Sequence, residues 1–242
     1  MSVLLRVLTW NLMHGRSLPP AGRDLSDEFA EALARWEWDV ALLQEVPPWW
    51  PAAFERRLGA TAAVVLTSRN FGLALRRAVA VRRPDLIKSN GGGASAVLVR
   101  GQAISERRIE RLAILPERRW LLGVRLGRGA GPWVGNLHAN GRPVPAAGRE
   151  LRRAAAAIGR WAGPDAPIVL GGDFNLVVPS LAGYVVAAGH HVDHILVRGF
   201  EVASRPSVLD RGPLSDHAPV CVGLTPAATP AHGRGRRSVQ AP

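Results

Sequence analysis

Polar residues able to act chemically recur at one kind of place in this chain, the C-terminal end of an apolar run. Asn11 follows Val7-Leu-Thr-Trp10, Glu45 follows Val40-Ala-Leu-Leu-Gln44, His138 follows Trp133-Val-Gly-Asn-Leu137, and Asp173 follows Ile168-Val-Leu-Gly-Gly172. Strand ends at one edge of a layered fold converge on one site, because rigid strands place them while loops leave them open to solvent. Glu45 is the candidate metal-bound carboxylate, since hard cations such as Mg²⁺ take oxygen ligands, often one or two carboxylates with water and substrate phosphate. The plainer reading of Glu45 alone is a strand-end acid paired with an Arg.

Gly171-Gly-Asp-Phe-Asn175 is more specific. The paired glycines permit a sharp turn and close backbone approach to a ligand. Asp173 and Asn175 are two apart, so in an extended segment they point to one side, an acceptor for water beside an amide for a phosphate oxygen. An Asx turn after a strand would need the Asp and Gly but not Asn175. Ser215-Asp-His217 sets a carboxylate next to an imidazole. Adjacent side chains rarely face one another, so a separate carboxylate is expected to orient His217, and Asp193 is available. Such a bond fixes the tautomer and raises the basicity of the other ring nitrogen. A capped strand start with a solvated His is the bland alternative.

His190, His191 and His194 crowd around Asp193 and invite a zinc reading, but they lack the i, i+4 helical spacing of zinc enzymes. His14 is read as a solvated loop residue. Lys88, in Leu86-Ile-Lys-Ser-Asn-Gly-Gly-Gly-Ala94, is a candidate substrate-binding residue on a phosphate-approaching loop, or part of a plain turn. Cys221 is the only cysteine, which rules out an intrachain disulfide; its apolar run Ala218–Leu224 predicts a buried, inert thiol.

The elements that must hold these residues are predominantly strands: Val3–Trp10, Asp39–Val46, Ala62–Leu66, Ala94–Val99, Ile104–Leu112, Trp120–Leu126, Trp133–His138, Ile168–Leu170, Val192–Val197 and Ala218–Leu224. Helices are predicted from an N-cap at Ser26 through Trp36, after Pro51 through Leu58, and over Val144–Trp161. Several strand neighbours are joined by turns too short for helical crossovers, which argues for two stacked, mostly antiparallel sheets with helices on the outer faces.

Composition is that of a globular protein, with 47% hydrophobic and 21% charged residues in 242. Residues 1–225 are expected to form one domain, and residues 226–242 a disordered basic tail without apolar periodicity. The net charge of +12 favours a polyanionic partner, yet Lys88 is the single lysine among 31 basic residues. So extreme a preference for Arg suggests a genome-wide compositional bias, and the charge supports a phosphate-bearing partner only weakly. No leader sequence or spanning segment is evident, so a cytoplasmic location and no stable membrane association are expected.

Taken together, Thr9-Trp-Asn11, Leu43-Gln-Glu45, Asn136-Leu-His138, Gly172-Asp-Phe-Asn175, Val192-Asp-His-Ile195 and Ser215-Asp-His217 resemble the endonuclease/exonuclease/phosphatase superfamily. That group includes DNase I-like nucleases, abasic-site endonucleases, inositol-polyphosphate phosphatases and neutral sphingomyelinases. The resemblance implies a four-layer αββα sandwich and an Mg²⁺- or Mn²⁺-dependent phosphoric ester hydrolase; a monomer is expected. It implies that Asn11, Glu45 and Asp216 attend the metal, and that Asp173 orients or deprotonates the attacking water. Asn175 would bind a phosphate oxygen, His138 would contact the phosphate, and His217, held by Asp193, would stabilise the transition state or serve as the acid–base group. Nucleic acid, DNA or RNA, is the favoured substrate. The alternatives are a phosphomonoester, sugar or lipid head group, and a non-catalytic phosphate- or nucleic-acid-binding module. Pro47 replaces the Arg that DNase I-like nucleases send into the minor groove, and Met13 replaces an acidic residue of abasic-site enzymes. Tyr184, the only tyrosine, lies outside the position of their phosphate-contacting Tyr. The loops expected to set specificity, about residues 67–95 and 176–191, carry no readable signature.

Overall fold

Strands that read as unbroken apolar runs need cover on both faces, and here helices and a second sheet supply it. The computed structural model describes residues 4–67, 70–83, 86, 93–129 and 131–227, which form two sheets and four α-helices. The first sheet is 7-stranded. It contains β1 (Leu5–Asn11), β2 (Val40–Val46), β3 (Ala60–Leu66), β4 (Ala94–Arg100), β11 (Phe200–Val202), β12 (Ser207–Val208) and β13 (Val220–Pro226). Their order is β11-β13-β1-β2-β4-β3, with β12 also on β13. The second sheet is 6-stranded: β5 (Ile104–Ala113), β6 (Arg119–Leu126), β7 (Trp133–His138), β8 (Ile168–Asp173), β10 (Asp193–Arg198) and β9 (Val185–His190), in that spatial order.

Each sheet is antiparallel except for one central pair, β1–β2 in the first and β7–β8 in the second. Parallel neighbours require a crossover, and a helix makes each one. α1 (Ser26–Arg35) joins β1 to β2, and α4 (Val144–Ala162) joins β7 to β8. The two parallel pairs bring four strand C-termini to one edge of the sandwich, in registers that align Asn11 with Gln44 and His138 with Asp173.

Side-chain alternation fixes the layers. In β1, Val7 enters the core between the sheets, while Leu8 and Trp10 face outward onto Phe29 and Leu33 of α1 and Phe54 of α2 (Pro51–Leu58). In β8, Val169 points between the sheets, and Ile168 and Leu170 pack with Leu151 and Ile158 of α4. The result is the expected αββα sandwich. Among the described residues, no helix is long and apolar enough to cross a membrane.

Some local expectations change. Ser26 is the first residue of α1 rather than its cap; Asp24 Oδ1 accepts the Ser26 N–H at 2.7 Å, a carboxylate meeting the positive end of the helix dipole. The stretch anticipated as a loop at 67–95 contains α3 (Leu73–Arg82), which buries no side chain and so has no apolar stripe to betray it. The stretch 176–191 ends in β9, an edge strand whose Ala-Ala-Gly centre has little β propensity and pairs with β10 through its backbone. Cys221 is half-buried, and burial pushes its thiol up to about 11. Residues 228–242, the greater part of the anticipated tail, lie outside the described residues.

The two sheets are tied by buried amides. The β2–β4 register shifts between Leu43 and Val46, and Asn136 of β7 in the opposite sheet donates Nδ2 to the carbonyls of Leu43 and Ala96, both at 2.9 Å. Gln44 Nε2 in turn donates to Asn136 Oδ1 at 2.8 Å and to Thr9 Oγ1 at 3.2 Å. Removing one partner of such a network leaves buried groups unsatisfied. Asn136→Ala is therefore expected to lower unfolding stability by about 2–3 kcal/mol in urea titration. A loss under about 0.5 kcal/mol would show that the network is dispensable.

Candidate active site

The shift in β2 that Asn136 secures also turns Glu45 out of the ladder at φ 51. A bulge re-aims a side chain without ending the sheet. Asn175 (φ 50), His14 (φ 55) and Ser215 (φ 62) share this left-handed conformation. Such strain costs energy and persists only where the surroundings fix it. All four border the same edge of the sandwich.

The Asp173 carboxylate lies at the centre, 2% exposed. Its Oδ2 accepts from Asn11 Nδ2 at 3.0 Å, and its Oδ1 accepts from the Asn175 backbone N–H at 3.0 Å. His138 Nε2 is 3.4 Å from Oδ2, and His217 Nε2 is 3.9 Å from the same oxygen. Gly172 makes the approach possible, because a Cβ there would sit 1.9 Å from the Leu137 carbonyl oxygen and its φ is 141. Burial raises the Asp173 pKa to about 6, and the facing Asp193 carboxylate adds to the rise.

Asp193 stands directly opposite Asp173 in the β8–β10 register and is also 2% exposed. Its Oδ2 is 2.7 Å from His217 Nδ1. Burial pulls the His217 pKa down, but the Asp193 hydrogen bond and the charges of Asp193, Asp173 and Asp216 outweigh it and raise the value to about 9. The segment carrying His217 is pinned to β1: Ser215 Oγ donates to the Asn11 carbonyl at 2.7 Å and accepts the His217 N–H at 3.1 Å, while Trp10 Nε1 donates to the His217 carbonyl at 2.9 Å. Asp216 is half exposed, with Oδ1 3.9 Å from His217 Nε2.

Glu45 holds the other side of the site, with Oε2 3.2 Å from His14 Nε2 and Oε1 3.9 Å from His138 Nδ1. His138 is buried, which drives its pKa well below the ordinary value and keeps the ring neutral at pH 7; the charge of Arg119 acts in the same direction. Asn175 spends one amide hydrogen on the Ala139 carbonyl at 2.8 Å and retains another.

Eight of the anticipated residues, Asn11, Glu45, His138, Asp173, Asn175, Asp193, Asp216 and His217, thus gather at one edge. The ninth, Lys88, lies outside the described residues. His14, read as a solvated loop residue, instead touches Glu45. Ser215 had no assigned part, although its position beside Asp216-His217 was a signal. His194 is a core residue whose Nε2 donates to the Leu176 and His191 carbonyls at 2.8 and 3.0 Å. Tyr184 packs on the α4 side of the second sheet.

Two groupings could hold a cation. Asp173, Asp193 and His217 have ligand atoms within 4.8 Å of one another. There His217 Nδ1 already lies 2.7 Å from Asp193 Oδ2. Glu45, with Oε1 3.9 Å from His138 Nδ1 at the same edge, offers the oxygen chemistry that hard divalent cations take. Asn11 Oδ1 accepts one bond, from the Met13 N–H at 3.0 Å, and keeps a second lone pair. Both groupings offer donors of the kind a divalent cation takes.

The sequence matches the Endonuclease/Exonuclease/phosphatase family over residues 8–217, and the chain belongs to that family of phosphoesterases. Its structure is similar to an endonuclease/exonuclease/phosphatase from Beutenbergia cavernae DSM 12333, with TM-score 0.71 and 18% identity over 94% of this chain and 73% of that one. A mannosyl-6-phosphatase of Bacteroides thetaiotaomicron VPI-5482 matches at TM-score 0.65 and 19% identity, over 91% of this chain and 99% of that one. TDP2 of D. rerio, humanized by 14 mutations, matches at TM-score 0.66 and 16% identity, over 92% and 99%. At these identities the likeness is one of fold. No curated protein matches the sequence.

Because the folded protein holds the His217 proton more tightly than an ordinary imidazole, the stability it contributes is present below about pH 6.5 and lost as pH rises through about 9. In the metal-free protein, the His217 ring resonances are expected to titrate near 9 by NMR, and Asp193→Asn to bring the midpoint down toward 6.5. An unchanged midpoint in that variant would remove Asp193 as the cause.

Proposed function

We propose that this protein hydrolyses a phosphodiester by in-line attack of water, with nucleic acid the favoured substrate. The observation that carries the reading is the short Asp193–His217 pair facing a second buried carboxylate, Asp173, with Glu45 across the site. A structural ion pair has no need of a second buried acid with a raised pKa beside it. Catalysis does, because acid–base groups work best with pKa values spread around neutrality.

Glu45, with Asn11 and Asp216, is the proposed holder of Mg²⁺ or Mn²⁺, which when bound supplies positive charge to the scissile phosphate. Asp173, with its carboxyl near 6, is ionised at pH 7 and takes or orients the proton of the attacking water. His217 stays protonated at neutral pH, so Nε2 donates to the phosphate oxygen on which charge develops, and Asp193 fixes its orientation through Nδ1. His138, neutral because it is buried, donates a ring N–H without adding charge. The spare amide hydrogen of Asn175 meets another phosphate oxygen. The net charge of +12 adds only weak support for a polyanionic substrate.

A second reading keeps the site and changes the substrate to a phosphomonoester or a sugar or lipid head group. The fold likeness to a mannosyl-6-phosphatase supports it. Plasmid DNA, oligonucleotides, bis-p-nitrophenyl phosphate, sugar phosphates and lipid head-group esters, each assayed with Mg²⁺ and Mn²⁺, separate the two. Glu45→Ala and His217→Ala are each expected to cost about 10²–10³-fold in kcat, and EDTA to abolish turnover. Turnover that survives both substitutions and the chelator would refute the mechanism.

Asp173 must be ionised to accept a proton. The rate is therefore expected to fall as pH drops through about 6, with an acid limb missing from any residual rate of Asp173→Asn. An identical acid limb in that variant would assign the titration elsewhere.

A further inference from the structure

Beside His217 opens a cleft of about 430 Å³ whose lining includes His190, His191, Asp193, Arg211, Asp216 and His217. Its charge is divided. The Asp193 carboxylate is committed to His217 at 2.7 Å, and Asp216 lies 3.9 Å from His217 Nε2, at the reacting end. Arg211 supplies the opposite sign. One of its terminal nitrogens, Nη1, donates to the Gly212 and Leu214 carbonyls at 3.2 and 3.1 Å. The neighbouring acid, Asp210, is spent on the Gly212 N–H at 2.8 Å. Among the described residues no carboxylate forms an ion pair with Arg211, and backbone carbonyls orient its guanidinium.

The mounting is rigid. Leu209 N donates to the Pro219 carbonyl at 2.9 Å, Ser215 N to the Arg16 carbonyl at 2.8 Å, and Leu18 N to the Pro213 carbonyl at 2.8 Å, so the loop is held at both ends and in the middle. In the same cleft, the tight β9–β10 turn sets the His190 and His191 rings 4.2 Å apart, with His191 at φ 52. A preorganised guanidinium that lines one cleft with two imidazoles is a receptor for a tetrahedral oxyanion.

We propose that Arg211, His190 and His191 form a second anion subsite, which holds a phosphate group of the substrate other than the one cleaved. This rests on the phosphoester-hydrolase reading and narrows it: preferred substrates carry a further phosphate near the scissile ester. That phosphate belongs either to a neighbouring nucleotide or to a small bisphosphate.

The experiment compares matched pairs differing by one phosphate: thymidine dinucleotides with and without a 5′- or 3′-terminal phosphate, and fructose 1,6-bisphosphate against fructose 6-phosphate. For each pair, kcat and KM are measured with Mg²⁺, and binding is measured by calorimetry without metal. For at least one pair the extra phosphate is expected to improve both KM and Kd by about tenfold, the scale of one charge-assisted hydrogen bond. Arg211→Gln should reduce that ratio to near one, and Arg211→Lys should keep part of it. The pair that responds identifies the source of the phosphate. Hydrolysis without any Arg211-dependent ratio overturns the subsite. An Arg211-dependent binding ratio without hydrolysis overturns the hydrolase reading and leaves the subsite standing. Absence of both overturns both.

Discussion

Asp173 and Asp193 face each other across the β8–β10 register, both nearly sealed from water, and two like charges in that position repel strongly. The arrangement persists because donors reach it from the opposite sheet. Asn11 at the end of β1 gives an amide hydrogen to Asp173, and His217, on the segment before β13, shares a proton with Asp193. The edge of the first sheet must therefore sit where these donors meet the second. Ser215 and Trp10 hold the His217 segment against β1, and the Gln44–Asn136 amides hold β2 against β7. The same amides steady the bulge that presents Glu45.

In the proposed reaction this repulsion has a use. Burial and a like charge keep the Asp173 carboxyl near 6, while the Asp193 bond keeps the His217 proton in place to about 9. One group is thus ready to accept a proton and the other to donate at the same pH. The metal position follows from the same account. If Asp193 and His217 share a proton, they are poor metal ligands, and the cation falls to Glu45 on the far side. Arg211, which pairs with no carboxylate among the described residues, lines the cleft beside them.

Much of this was legible in the sequence, for a local reason. A residue such as Glu45 or Asp173 at the end of an apolar run announces its strand and its position together. The separation of Asp216 from His217 as an orienting partner followed from backbone geometry, since neighbours in sequence point apart. What escaped depends on distant parts of the chain. The contact of His14 with Glu45 spans the whole β1–β2 crossover, and the bridge from Ser215 to Asn11 closes nearly the full length of the chain. Asp24 displaced Ser26 as the acceptor at the start of α1 because two good capping residues stood two apart. Helix α3 buries no apolar face, so no periodicity marked it.

The central claim is a division of labour: a cation on Glu45, and a proton between Asp193 and His217. Anomalous diffraction from crystals soaked in Mn²⁺ reads that division directly. The account predicts a peak bonded to a Glu45 carboxylate oxygen, with the Asp193–His217 hydrogen bond intact beside it. A peak enclosed by Asp173, Asp193 and His217, with Glu45 left unligated, would contradict it.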